Sequence, residues 1–98
     1  MGTVISFEDL EVWQISQAWA VEVYKVTKSF PDDERFGITS QIRRAVSSVS
    51  ANIAEGFGRR TTKDKLHFYT IAYGSALETK NFIYLASKLE YIDDDTVP

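Results

Sequence analysis

Ninety-eight residues allow one domain with a modest core, and a hydrophobic content of 44% with thirteen aromatic side chains argues for a folded chain. With no cysteine, disulfides and thiolate zinc sites are excluded and a reducing cytoplasm is the expected setting; no apolar run approaches the roughly 20 residues that span a bilayer. The net charge of −3 disfavours indiscriminate nucleic-acid binding, but the charge is uneven: residues 1–35 carry −4, residues 36–65 carry +4 and residues 66–98 carry −3.

The chain begins MGTVISFEDLEVW, which lacks the basic segment and apolar block of a secretory signal. Met1-Gly2 with Ser6 fits a myristoylation pattern in form only, because so short a motif recurs by chance. Ser6 can cap a first helix and Asp9 can close a capping box, so a helix is expected over about 7–29. Two apolar stripes run along it: Val12, Ile15, Trp19, Val23 and Val26, and Leu10, Trp13, Ala20 and Tyr24. Two stripes imply burial on more than one side. Ser29-Phe30-Pro31 stops the helix, since the residue before a proline is pushed out of helical geometry.

Asp32, Asp33 and Glu34 stand just before the second helix, where its dipole favours negative charge. That helix is expected over about 38–59 on the stripe Ile42, Val46 with Val49, Ile53 and Phe57, and Gly56 and Gly58 end it. Thr61 with Asp64 signals the next start, and a third helix follows to about Tyr91. Its core stripe reads Phe68, Ile71/Ala72, Ser75, Phe82, Leu85 and Leu89; a second reads Tyr69, Tyr73, Leu77 and Tyr84. Asp93-Asp94-Asp95 resembles a further turn and helix start. Nothing alternates as a strand does. The expected fold is all-α: one domain over residues 1–98, an up-down antiparallel bundle of four-helix type with three long helices and the fourth truncated or absent. Three helices cannot cover two stripes each, so other copies of the chain are expected to shield the remainder.

The second helix is unusually rich in small and polar residues. Ser48, Asn52 and Gly56 share one line, which lets a neighbouring helix approach closely while one amide sets the register. Arg43 or Arg44 on this helix can reach Glu78 on the antiparallel third. Arg43/Arg44, Asn52, Glu55, Gly56 and Glu78 are therefore expected to form a polar cluster that specifies packing. The basic block supplies candidate phosphate contacts: Arg59, Arg60, Lys63 and Lys65 at one end of the bundle, and Arg43 and Arg44 about four turns away. The plainer reading of these charges is a solvated loop with cations at a helix C-terminus.

Catalytic chemistry finds little support. Asp64 precedes His67 by three residues, as in di-iron bundles, but His67 is the only histidine and those sites need the pair on two helices. Gly56-Phe57-Gly58 lacks the spacing and the Lys-Ser/Thr of a phosphate loop, and no histidine stands ready to activate a serine. No cofactor and no enzymatic activity are expected.

FEDLEVWQ at 7–14, SQIRRAVSSVSANIAEGFGR at 40–59 and FYTIAYGSALE at 68–78 resemble the bacterial four helix bundle proteins. That group includes proteins encoded in intervening sequences of large-subunit ribosomal RNA genes and the accessory variability protein of diversity-generating retroelements. The resemblance covers nearly all of residues 7–92 and rests on NIAEG with QIRRA upstream and GSxxE downstream. It implies a bundle of about four helices that assembles as a homo-oligomeric ring, usually a pentamer. For the retroelement members it implies binding to a reverse transcriptase and, through a basic surface, to RNA or DNA. In the family a fourth helix starts near the position of Asp93, and this sequence departs from that pattern. The leading functional expectation is a non-enzymatic ring-forming protein that presents basic side chains to nucleic acid; the alternative is a scaffold that binds only protein.

Overall fold

A computed structural model describes residues 6–93, and the Met1-Gly2 motif and Asp94-Asp95 lie outside the described residues. Three α-helices make up the fold: α1 (Glu11–Thr27), α2 (Ile38–Phe57) and α3 (Thr62–Lys88); no strand occurs among the described residues. Short 3-10 turns at Phe7–Asp9 and Asp32–Glu34 precede α1 and α2. Among the described residues no helix is long and apolar enough to cross a membrane.

The first expected helix start moves. Ser6 and Asp9 close their contact on the 3-10 turn, with the Ser6 amide donating to Asp9 Oδ2 at 3.2 Å. Leu10 then adopts an extended backbone, and α1 starts at Glu11 rather than near residue 7. The break has a packing cause: Leu10 and Trp13 lie against Val49, Ile53 and Ala72, and the Phe7 ring meets Trp13 edge-on at 5.1 Å. The second helix ends at Phe57. Gly58 keeps an ordinary right-handed φ of −78°, so this end does not use glycine's left-handed freedom.

The third helix stops at Lys88, short of Tyr91. Glu90 takes φ 64°, its amide donates to Ser87 O at 3.0 Å, and the Tyr91 amide donates to Ala86 O at 2.9 Å. This is the Schellman arrangement, in which a left-handed residue just past the helix satisfies its last carbonyls. It turns Tyr91 and Ile92 back onto Phe30, Ile38 and Ala86. Tyr91 also donates its hydroxyl to Glu34 Oε2 at 2.7 Å, fastening this end to the link between α1 and α2.

The second helix is the centre of the molecule. It buries Ile38, Ile42, Ala45, Val46, Val49, Ser50, Ile53 and Gly56, packing against α3 along most of its length and against α1 on another side. α1 and α3 run parallel and meet chiefly across α2, where Val23, Ile42, Val46 and Ile83 form a common cluster.

The core face of α3 is rotated from the expected stripe. Ala72, Thr79, Ile83 and Ala86 are buried, whereas Ile71, Leu85 and Leu89 are exposed. Backbone proximity explains the exchange. α2 presents Ser48 and Gly56 to α3, and beside them small side chains such as Ala72 fit between helices that lie so close, while Ile83 is buried farther along against Ile42 and Val46. Ile71, Leu85 and Leu89 are displaced to the flanks. On α1 the buried residues are Ser16, Val23 and Thr27, while Val12 and Ile15 face outward. Ser16 and Thr27 satisfy their hydroxyls on carbonyls of the preceding turn, at 2.7 Å to Val12 O and 2.8 Å to Val23 O.

Candidate nucleic-acid interface

The turn between α2 and α3 holds the densest positive charge of the chain, and its geometry follows from two helix ends meeting in four residues. Thr61 caps α3, its Oγ1 accepting from the Asp64 amide at 3.0 Å. Lys65, one turn into α3, points back at the end of α2 and donates to Phe57 O at 2.7 Å and Gly56 O at 3.5 Å. It therefore sets a cation against the carbonyl end of α2, chiefly at Phe57 O. Arg59 is held twice: its Nη2 donates to Glu55 Oε2 at 2.9 Å, and its guanidinium carbon stands 4.5 Å from the centroid of the Phe68 ring. Arg60 and Lys63 are exposed, and neither forms an ion pair with a described residue. His67 is exposed beside them, its ring edge-on to Phe68 at 5.2 Å.

The six basic candidates do not form one surface. Arg44 is exposed on α2, about 22 Å along the helix axis from Arg59 at 1.5 Å per residue. Arg43 turns toward α1. Its Nε donates to Thr27 Oγ1 at 2.8 Å, its Nη2 reaches Tyr24 O at 3.4 Å, and the guanidinium lies 4.8 Å from the Tyr24 ring centroid. Arg43 is thus a structural tie between α1 and α2. Sequence spacing missed these partners, although Thr27 stands one turn after the core residue Val23.

The expected polar cluster separates into two parts. Glu78 is exposed and contacts neither Arg43 nor Arg44, because that part of α3 turns its small residues toward α2 and sends Glu78 to solvent. Glu55 is exposed too and pairs with Arg59 one turn away on its own helix. Asn52 and Gly56 remain on the α2–α3 seam. Asn52 Nδ2 donates to both Ser48 O and Ser48 Oγ at 2.8 Å, and Ser75 Oγ on α3 donates to Ser48 Oγ at 2.9 Å. Gly56 is buried, and a Cβ built there would stand 2.7 Å from Tyr69 Cε1 and 3.1 Å from Phe68 Cβ.

The α2–α3 turn therefore combines several exposed cations with fixed neighbours. Arg59 is oriented by Glu55 and Phe68, and Arg60 and Lys63 extend beside it. Such an arrangement turns positive charge outward on one short turn.

A comparison with curated proteins finds no match. A sequence model of the 23S rRNA-intervening sequence protein family matches residues 8–97, which is nearly the whole chain, and this protein belongs to that family.

Proposed function

We propose that this protein is a non-enzymatic, self-associating helical module that binds nucleic-acid phosphates through the α2–α3 turn. The observation that carries the reading is the charge of that turn: Arg59, Arg60, Lys63 and Lys65 lie within seven residues that hold one carboxylate, Asp64, on a chain of net charge −3. Lys65 serves the end of α2, so the outward contacts fall to Arg59, Arg60 and Lys63. Self-association multiplies them, because copies arranged around a common axis present one such turn each.

A second reading, a scaffold that binds only protein, is favoured by one specific feature. Large apolar side chains stay exposed along α1 and α3, among them Val12, Ile15, Tyr73 and Leu77. Measuring RNA and DNA binding at low and high salt separates the two readings. Phosphate contacts predict affinity that falls steeply with salt, and a loss of binding in Arg60→Glu/Lys63→Glu. Absence of binding by the intact assembly, or binding indifferent to salt and to the reversals, would leave the scaffold reading standing.

A further inference from the structure

Where α1 gives way to α2, the chain folds around a polar pocket of about 520 Å³. It lies at the opposite end of α2 from the basic turn: from Thr39 to Phe57 the helix advances about 27 Å at 1.5 Å per residue. Three cations line the pocket, Lys28, Arg35 and Arg43, against one carboxylate, Asp32. None of the four forms an ion pair with a described residue.

Arg43 differs from the other two cations in being fixed. Its Nε donates to Thr27 Oγ1 at 2.8 Å, its Nη2 reaches Tyr24 O at 3.4 Å, and its guanidinium carbon stands 4.8 Å from the Tyr24 ring centroid. These contacts hold the fork in place and leave both donors of Nη1 without a partner among the described residues. Lys28 and Arg35 are exposed and can move. Thr39 lines the same pocket, and its hydroxyl is buried with no hydrogen-bond partner among the described residues. A hydroxyl in that state is costly, and in folded proteins it is ordinarily met by a water or an ion. One bond, χ1, positions it, and threonine in a helix populates two rotamers of that bond.

We propose that this pocket binds a single phosphate group, as inorganic phosphate or as a small phosphate monoester, with Arg43 as the fixed donor and Lys28 and Arg35 closing over the anion. Three features select this ligand class. An excess of two positive charges matches a dianion. The planar guanidinium fork matches two oxygens of one phosphate. The pocket has the size of a small-molecule site, and Phe30 and Pro31 give it an apolar edge for the organic part of a monoester. Thr39 supplies a neutral donor once its side chain turns toward the anion. The inference goes beyond the proposed function and stands without it.

The test follows backbone amide NMR shifts of the full chain while sodium phosphate replaces sodium chloride at constant ionic strength. A second arm uses glycerol 3-phosphate, with glycerol as its control, and a third uses an oligonucleotide with hydroxyl groups at both ends. Saturable shifts around Thr39 and Arg43 with either small phosphate are expected, and the tighter of the two identifies the source. Lys28→Ala and Arg35→Ala should each weaken binding about tenfold, the loss of one charge-assisted contact. Thr39→Val should weaken it as well while leaving stability in chloride unchanged or higher, because it removes a hydroxyl that the fold does not pair. Arg60→Glu/Lys63→Glu should bind the small phosphates as wild type does, which separates this pocket from the turn. Shifts that never saturate, or that persist unchanged in Lys28→Ala/Arg35→Ala, would overturn the inference. So would an oligonucleotide that shifts the same amides at lower concentration than either small phosphate, since the pocket would then belong to a polymer-binding surface.

Discussion

Two glycine-to-alanine changes probe the close contact between α2 and α3. Gly56 and Gly74 both lie inside helices, so alanine should improve backbone propensity at either by up to about 1 kcal/mol. Their surroundings differ. A Cβ at Gly74 meets nothing within 4 Å, and Gly74→Ala should stabilise the fold by about 0.5 to 1 kcal/mol. At Gly56 the added methyl would stand 2.7 Å from Tyr69 Cε1 and 3.1 Å from Phe68 Cβ. The Tyr69 ring is partly exposed and can swing, but Phe68 Cβ moves only with the α3 backbone. Overpacking of this kind costs about 1 to 3 kcal/mol, which exceeds the propensity gain. Gly56→Ala should therefore destabilise by about 1 kcal/mol net. In a domain of this size that is a fall of roughly 4–8 °C in Tm, against a rise for Gly74→Ala. Urea unfolding followed at 222 nm, at one fixed protein concentration because assembly contributes to apparent stability, reads both signs. If both alanines stabilise the protein equally, α2 and α3 are not in contact at Gly56 and the account of the small-residue seam fails.

Two further outcomes follow from the end of α3. Glu90 sits at φ 64°, a conformation that costs a residue with a side chain about 1 kcal/mol, so Glu90→Gly should raise stability by that amount in the same urea assay. Unchanged or lowered stability would remove the Schellman turn as the stop of α3. The Tyr91 hydroxyl is held above its ordinary value of 10.0, first by the hydrogen bond it donates to Glu34, then by burial and by the charges of Glu34 and Asp33. A group whose folded pKa is raised contributes stability that is complete below its unfolded value and lost as pH climbs through the folded one. The stability difference between wild type and Tyr91→Phe should thus be constant up to about pH 9 and shrink above pH 10; a gap that persists at high pH would refute the assignment.

Much of the helical content was legible in the residues because it depends on local signals. Thr61 with Asp64 marked the start of α3, Phe30-Pro31 bounded α1, and the Ile42, Val46, Val49, Ile53 line marked α2 as a core helix. The face of α3 was legible in part: Ala72, named in the expected stripe, is buried and Phe68, Ser75 and Phe82 are half-buried. Hydropathy ranks Ile71, Leu85 and Leu89 above Ala72, Thr79 and Ala86, yet the smaller residues are inside, because the gap between two close helices is limited by volume and not by polarity.

The candidate interface divides in the same way. The clustering of Arg59, Arg60, Lys63 and Lys65 is a property of the chain, since a short turn keeps neighbours in sequence neighbours in space. Which of them remain available is a tertiary outcome: Lys65 is drawn onto the carbonyls of Gly56 and Phe57, Arg59 onto Glu55 and Phe68, and Arg43 onto Thr27 across the α1–α2 contact. Periodicity and capping act over a few residues and can be read along the chain. The partner of a long charged side chain depends on which helix packs beside it, and only the assembled fold decides that.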